Sequence, residues 1–488
     1  MDQAVEPISA QRARSLEEHL QQENPLLLQV LKNFRKLDKL GQRMGLLGKD
    51  ESYTLRVSWW PVISILGTFS SGKSTFLNEY LGQRLQLTGN QAVDDRFTAI
   101  CYSAEGDVRV LPGAALDADP RFPFYRISEE IDEATSGEGD RVDTYLQLKT
   151  CPSERLKRKI FLDSPGFDAD KQRDATLRIT DRIIDLSDLV LVMFDARHPE
   201  PGAMRDTLQH LVGQTITRPD ASKFMYILNQ IDAAATEDNP EDVVAAWQRA
   251  LASHGLTAGR FYRIYNEEVS SPIPDEARQS RFKAKKDEDL AEIYNRIQEV
   301  EVGRAYRVVD VLAQTAKDLE EAWVPRIDAW LDRWRRRVWI YNGIVLLLAI
   351  ALTIACYIAF TTSTSGIFGA IGGGGIGSIV SGIVLFIIAM AIHFGFRRLA
   401  ARQISARIRK EAAPERLSDL LRAFRRNTRW SRNMLARNPA GWGIRARRLV
   451  NKTIENRTRY VQDLNDRFAN PSGREQDAPA LERRQSSM

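Results

Sequence analysis

Short apolar runs alternate with longer amphipathic stretches between about residues 57 and 269, and this pattern predicts an α/β domain. Such runs are typical of strands buried in a parallel sheet, and the helical patterns between them indicate βαβ units. Residues 104–140 are rich in Gly, Pro and Asp and predict an inserted loop or short hairpin. The predicted strands are 62–66, 159–162, 189–194, 224–228 and 261–265.

Three blocks of helical periodicity flank this domain and are predicted to fold together into one bundle. The first block is predicted to break at Pro25 and to end at Gly41 or Gly48. The third block is interrupted around residues 438–441. The blocks cover residues 8–48, 284–335 and 398–468, and a polar tail at 469–488 is predicted to be disordered.

Two uncharged segments lie between the second and third blocks. Val338–Phe360 contains 23 residues without a charge, and a second uncharged run covers Gly366–Phe396. Because about 20 apolar residues in a helix span a bilayer, each run is long enough to cross one. With Thr361–Ser365 as their connection, the runs are predicted to form a two-helix transmembrane hairpin. The alternative is that both are buried helices of a soluble protein.

Arginines bracket the hairpin on both sides, and positive flanks stay in the cytoplasm. Both termini are therefore predicted to be cytoplasmic, with Trp339 and Tyr341 in an interfacial aromatic belt. Two rows of small residues in the second segment either pack helices closely or form a flexible turn. The arginines are Arg333, Arg335, Arg336, Arg337, Arg397, Arg398 and Arg402. The rows are Gly369, Gly373, Gly377, Ser381 and Gly366, Ala370, Gly374, Ser378, Gly382.

The net charge of +5 hides an asymmetry along the chain. Residues 397–467 hold 20 Lys and Arg against 6 Asp and Glu, a balance of +14, so the rest of the chain sums to −9. A basic block directly after an apolar segment predicts contact with anionic lipid headgroups. Nucleic acid is the competing partner, but no nucleic-acid motif is present.

Three cysteines are too few for a disulfide framework, which indicates a reducing compartment. The N-terminus has no basic-then-apolar pattern, so no cleavable signal peptide is expected.

A complete phosphate-binding loop follows the first predicted strand. Its backbone N–H groups are predicted to cradle phosphate oxygens, with Lys73 on the terminal phosphates and the Ser74 hydroxyl on Mg²⁺. A predicted helix from Ser74 to Leu81, stopped by Gly82, would point its N-terminus at the anion. A chance match in a Gly/Ser loop is the alternative. The predicted nucleotide-binding residues of the loop are Gly67, Ser70, Ser71, Gly72, Lys73, Ser74 and Thr75.

Two further motifs follow predicted strands. Asp163-Ser-Pro-Gly166 offers a carboxylate for Mg²⁺ and a Gly166 N–H for the terminal phosphate, although Asp, Pro and Gly also make ordinary turns. Asn229-Gln-Ile-Asp232 has the form Asn-Lys-x-Asp with Gln230 in place of lysine. The Asp232 carboxylate can accept two N–H bonds from guanine, whereas adenine presents an acceptor there, so the motif favours GTP.

A threonine is expected to cap Mg²⁺ between the phosphate-binding loop and Asp163. Thr98 is predicted to be this residue, with a catalytic and metal-binding role. Thr88 is a second candidate, and Thr98 is equally interpretable as a strand residue.

Together these motifs resemble the dynamin superfamily, specifically bacterial dynamin-like proteins and Eps15-homology-domain proteins, over roughly residues 60–270. The layout with a membrane hairpin is similar to that of mitofusins. The resemblance implies a P-loop GTPase with a dynamin-type G domain, dimerising across the nucleotide and acting on membranes. In that family, the residue matching Ser70 helps to place the charge-compensating group in the transition state. Asp94 stands where the Eps15-homology relatives carry threonine, and those relatives use ATP, so ATP stays open as the alternative nucleotide.

The sequence therefore predicts a membrane-anchored GTPase of the dynamin type that remodels, tethers or fuses membranes, with GTP and Mg²⁺ as ligands. A homodimer that can form a higher oligomer, and a bacterial inner-membrane location with two spans, are expected. A membrane-tethered switch and a structural scaffold without mechanical work are the alternatives. The predicted domains are a helical segment (1–56), the GTPase domain (57–275), a helical stalk (276–337), the hairpin (338–396), a basic helical segment (397–468) and the tail (469–488).

Overall fold

The computed structural model divides into two compact units. The helical unit comprises residues 1–9, 31–54 and 311–459, and the sheet unit comprises residues 10–30, 55–310 and 460–488. The residues that the structure describes are 8–68, 70–86, 96–104, 106–118, 122, 142–166, 174–197, 221–233, 240–256, 259–268, 270, 273, 275–362, 376–411 and 414–468.

An eight-stranded sheet forms the centre of the sheet unit, with the strand order β3-β4-β2-β5-β1-β6-β7-β8. Strands β1, β5, β6, β7 and β8 are mutually parallel, as predicted. The strands that the sequence analysis did not predict add the antiparallel pairs, since β2 pairs antiparallel with β5 and β3 antiparallel with β4. The strands are β1 Val62–Gly67, β2 Phe97–Tyr102, β3 Arg109–Pro112, β4 Leu146–Cys151, β5 Ile160–Asp163, β6 Leu189–Asp195, β7 Phe224–Asn229 and β8 Phe261–Arg263.

Twelve helices lie in the described parts of the chain. Pro25 begins the second helix, as the break predicted there requires. That helix ends at Met44 before Gly45, whose φ is +81°, and not at Gly41 or Gly48. The helices are α1 Ile8–Glu23, α2 Pro25–Met44, α3 Lys73–Leu81, α4 Ala114–Ala118, α5 Val142–Tyr145, α6 Asp174–Leu186, α7 Pro240–Ser253, α8 Glu276–Asp318, α9 Val324–Thr362, α10 Ile376–Glu411, α11 Pro414–Asn427 and α12 Ile444–Phe468.

Helices cover both faces of the sheet, so its central strands are buried throughout. On one face, Val192 and Phe194 of β6 pack with Trp247 of α7. On the other face, Phe76 of α3 and Ile293 of α8 belong to the second core cluster. Burial on both faces explains why β1 and β6 are apolar at nearly every position, since neither face meets water.

Helices α8 and α9 are joined by a π-helical turn at Leu319–Trp323, so helix continues from Glu276 to Thr362. The predicted boundary between stalk and hairpin at residues 337 and 338 therefore lies inside a helix. The interruption predicted around residues 438–441 is confirmed, because α11 ends at Asn427 and α12 begins at Ile444.

Helices α9 and α10 form an antiparallel pair in the helical unit. The Tyr341 hydroxyl donates to Gln403 Oε1 at 2.8 Å, and Asn342 Nδ2 lies 3.0 Å from His393 Nδ1. Both helices are long and apolar enough to cross a membrane, and their apolar windows are almost entirely exposed. This exposure contradicts the alternative that the described parts are buried in a soluble core. The connection at 363–375, most of the small-residue rows and the tail lie outside the described residues.

Candidate nucleotide-binding site

The phosphate-binding loop joins the end of β1 to the start of α3, as its sequence predicts. Gly72 caps α3 with φ of +86°, a conformation that suits glycine. A Cβ atom on Gly72 would lie 2.1 Å from Asn229 Nδ2, and one on Gly67 would lie 2.4 Å from the Met193 carbonyl oxygen. The two glycines of the motif are therefore required by steric contact with the neighbouring strands, which brings the loop backbone close to β6 and β7.

Replacing Gly72 by alanine is expected to lower nucleotide affinity by about 10²-fold or more, because the new methyl group collides with Asn229. Titration with a fluorescent GTP analogue measures this. Gly82→Ala is the matched control, since Gly82 caps the other end of α3 with φ of +69° and its Cβ would meet nothing within 4 Å. It should cost about 1 kcal/mol of stability through backbone strain and leave affinity intact. Equal losses in both variants would contradict the steric argument.

Lys73 begins α3, and its ammonium lies inside the loop. Lys73 Nζ donates to the carbonyl oxygens of Gly67 and Thr68, each at 3.0 Å. Burial lowers the pKa of Lys73 to about 8, and the charge of Asp163 opposes this shift. The ammonium is thus held by the chain's own carbonyl oxygens in a poorly solvated position, where an anionic phosphate would strengthen its charged form.

Two amide side chains of the Asn229-Gln-Ile-Asp232 motif bind the loop backbone. Asn229 Nδ2 donates to the Ser71 carbonyl oxygen at 2.9 Å, and Gln230 Nε2 donates to the Ser70 carbonyl oxygen at 2.6 Å. Ser70 and Gln230 both adopt positive φ, 59° and 61°. Non-glycine residues in this region carry strain that clusters at functional sites. The structure therefore joins two motifs that are about 160 residues apart in the sequence.

Asp232 is buried three residues after the end of β7. Beside it, Asp195 is the register partner of Asn229, and Arg197 binds the Asp195 carboxylate through Nε and Nη2 at 2.7–3.1 Å. The hydrogen bond to Asp195 raises the pKa of Arg197, with a smaller contribution from the charge of Asp232. The Arg197 guanidinium therefore lies at the same sheet edge as Asn229-Gln-Ile-Asp232, the motif in which Gln230 replaces a lysine. The sequence analysis did not predict this guanidinium.

Asp163 ends β5, next to β1, at the register position of Ile65. Its Oδ2 accepts a hydrogen bond from Gln86 Nε2 at 2.8 Å, and Gln86 Oε1 accepts one from Lys149 Nζ at 2.5 Å. Asn78 of α3 holds the Gln86 backbone through two hydrogen bonds. Gln86 therefore positions the Asp163 carboxylate. Gln86 belongs to no motif of the sequence analysis, so only the structure reveals this role.

A magnesium ion would find suitable donors in this site. The Ser74 hydroxyl lies in the first turn of α3, and Asp163 supplies a carboxylate from the adjacent strand end. Mg²⁺ commonly takes one or two protein oxygens together with water and substrate phosphates. The described part of the chain contains no cluster of three or more His, Cys, Asp or Glu that could hold a metal alone.

Thr98 lies within β2 as the register partner of Asp163, and its side chain is buried. Its hydroxyl accepts a hydrogen bond from Gln147 Nε2 at 2.7 Å. This placement favours the interpretation of Thr98 as a strand residue, because its buried hydroxyl is already bound to the neighbouring strand. Thr88 and Asp94 lie outside the described residues. Gly166 follows the end of β5 and Thr75 lies in α3, and their nucleotide contacts stay predictions.

Comparison with known proteins agrees with this geometry. The family model described as "Dynamin family" matches residues 63–231. The human EH domain-containing protein 1 is 24% identical over 185 residues, covering 36% of this chain and 32% of that protein. The human EH domain-containing protein 3 is 23% identical with the same coverage. The chain thus spans about a third of the length of these relatives.

Among solved structures, an oligomerised bacterial dynamin pair, described as a mechanism for long-range sensing and tethering of membranes, aligns with a TM-score of 0.31. It is 12% identical, over 98% of this chain and 77% of that one. Era in complex with MgGDPNP and a 16S ribosomal RNA segment aligns with a TM-score of 0.25 and 16% identity, over 46% of this chain and 56% of that one. Both scores are low, so only the family match and the site bear on the class of the domain.

The buried parallel strands, the glycine-dependent turn into α3 and the enclosed Lys73 define a P-loop nucleoside triphosphatase domain. The match over residues 63–231 shows that this domain is a P-loop GTPase domain of the dynamin superfamily.

Proposed function

We propose that the protein is a membrane-anchored, dynamin-type GTPase that hydrolyses GTP to remodel, tether or fuse membranes. One observation carries this proposal: the same chain combines a phosphate-binding loop with two exposed helices of membrane-spanning length. Large exposed apolar surfaces are costly in water, and a bilayer removes that cost. The domain would bind and hydrolyse the nucleotide, and the two helices would anchor the chain in the bilayer on which it acts.

GTP and Mg²⁺ are the proposed ligands. Asp232 would accept the two N–H groups of guanine, while Lys73 and the loop N–H groups would bind the phosphates. Ser74 and Asp163 would hold Mg²⁺, which supplies charge neutralisation at the phosphates when it is bound. Ser70, whose backbone is held by Gln230, is proposed to stabilise the charge that develops during hydrolysis.

Anionic lipid is the proposed membrane partner, since residues 397–467 carry a balance of +14 directly after the second apolar segment. Arginines at both ends of the hairpin support two spans with both termini cytoplasmic, and a bacterial inner membrane is the proposed location. A homodimer across the nucleotide is proposed on the strength of the family match.

Reconstitution into vesicles of phosphatidylcholine and phosphatidylglycerol tests the proposal. On addition of GTP and Mg²⁺, we expect lipid mixing, vesicle clustering or tubulation, seen by energy transfer between labelled lipids and by electron microscopy. GDP should have no such effect. Hydrolysis without any change in the vesicles would leave a membrane-tethered switch as the function. Binding without turnover would leave the scaffold.

A further inference from the structure

Residues 428–443, which connect α11 to α12, form an ordered loop; we name it the interfacial loop. The buried Asn427 closes it, because Asn427 Oδ1 accepts a hydrogen bond from the Ala440 N–H at 2.7 Å. Three side chains of the loop point inward and are buried: Met434, Ala440 and Trp442. A loop with packed side chains and joined ends is a rigid Ω-type element, so its outward residues have fixed positions.

Two arginines fix this loop at the membrane end of the helical pair. Arg397 directly follows the second apolar segment, and its Nη2 donates to the carbonyl oxygens of Arg429 at 3.0 Å and Arg432 at 2.7 Å. Arg335 lies three residues before the first apolar segment, and its Nη2 donates to the carbonyl oxygen of Ala436. Both ends of the hairpin thus bind the loop backbone at the level where the apolar segments begin and end.

Helical side chains lean toward the N-terminus of their helix, and α10 has its apolar segment on the N-terminal side of Arg397. The guanidinium of Arg397 therefore draws the loop toward the apolar segment. Trp334 Nε1 donates to the Arg397 carbonyl oxygen at 3.2 Å, which sets α9 and α10 at the same level there.

The outward face of this region is apolar. Trp430 and Leu435 of the loop, and Ile444 at the start of α12, are 72%, 70% and 72% exposed. They are the most exposed large apolar side chains among the described residues. Tryptophan is enriched at the boundary between lipid and water, because its ring is apolar and its N–H can reach a polar partner.

The interfacial loop and the helix residues on either side of it carry only positive charges. Residues 420–454 contain ten Arg and Lys and no Asp or Glu. Burial and the neighbouring charges of Arg335 and Arg426 lower the pKa of Arg432. A crowded cationic surface with protruding apolar side chains is complementary to anionic headgroups lying over an apolar interior.

We propose that the interfacial loop inserts Trp430 and Leu435 into the headgroup region of an anionic bilayer beside the hairpin. This inference rests on the proposed function, because it requires the hairpin to lie in a membrane. The loop would then bind lipid separately from the two spans. Because Arg335 and Arg397 bind its backbone, the loop would also link the membrane surface to α9 and α10.

Site-specific labelling of the full-length chain tests this inference. Leu435→Cys and Trp430→Cys are labelled with an environment-sensitive nitrobenzoxadiazole dye after the native cysteines are replaced by alanine. Lys317→Cys is the matched control, since Lys317 is exposed and lies on the continuous helix about 30 Å before the first apolar segment. In vesicles containing phosphatidylglycerol, the labels at 430 and 435 should emit at shorter wavelength and resist aqueous iodide quenching severalfold better than the control.

The outcomes separate the inference from the proposal on which it rests. A chain that fails to float with vesicles contradicts the membrane anchor itself. A chain that floats while the labels at 430 and 435 remain as open to iodide as the control overturns the loop insertion. Protection that follows the protein-to-lipid ratio would indicate a second copy of the chain and also overturn it. Equal protection in pure phosphatidylcholine would overturn the preference for anionic lipid.

Discussion

Replacing Lys73 by alanine should lower GTP turnover by about 10³-fold, because the transition state loses the one ammonium enclosed by the loop. The ammonium is oriented before substrate arrives, since the carbonyl oxygens of Gly67 and Thr68 each hold it at 3.0 Å. Phosphoryl transfer depends chiefly on positioning and charge neutralisation, so removing a positioned charge should slow it strongly. Phosphate release in the presence of vesicles and Mg²⁺ measures the effect.

Lys159→Ala is the matched control for this experiment. Lys159 is also a buried lysine whose pKa burial lowers, but it immediately precedes β5, at the opposite end of that strand from Asp163. Its loss should leave turnover within a few-fold of the wild type. A comparable loss of turnover in both variants would mean that removing any buried lysine lowers turnover, whether or not that lysine contacts phosphate. Turnover that survives Lys73→Ala would contradict the assignment of the loop as the catalytic site.

Four of the five predicted strands, β1, β5, β6 and β7, are buried at every position. β1, β6 and β7 are apolar at nearly every position for that reason. β4 escaped prediction because Gln147, Lys149 and Thr150 interrupt its apolar pattern. Gln147 and Lys149 belong to the contacts beside Thr98 and Asp163, so polar contacts of the site obscure the apolar pattern of this strand. Tertiary contacts of this kind are not visible in periodicity.

The phosphate-binding loop could be predicted because its chemistry is local. Its glycines, lysine and serine are adjacent in sequence, and the motif states their spacing. The contacts of Asn229 and Gln230 with the loop backbone, and of Gln86 with Asp163, join residues separated by about 80 to 160 positions. No spacing rule connects such residues, and only the register of the parallel strands brings them together.

Replacing Asp232 by asparagine should reverse the preference of the site for its base. Guanine offers two N–H donors that a carboxylate can accept together, whereas the asparagine amide offers one acceptor and one donor. Xanthine, with one N–H and one carbonyl oxygen at the same edge, matches the amide. We expect GTP affinity to fall about 10²-fold or more and xanthosine triphosphate affinity to rise correspondingly, as measured by calorimetry with Mg²⁺.

Asp195→Asn is the control for base recognition, because Asp195 is a buried carboxylate on the neighbouring strand that binds Arg197. That variant should keep the preference for GTP over xanthosine triphosphate, since its carboxylate is committed to the guanidinium. The ATP arm tests the other nucleotide: adenine has no N–H donor pair for Asp232, so ATP binding should be weak in the wild type. Tight ATP binding that Asp232→Asn leaves unchanged would show that the carboxylate does not recognise the base, and would favour an ATPase.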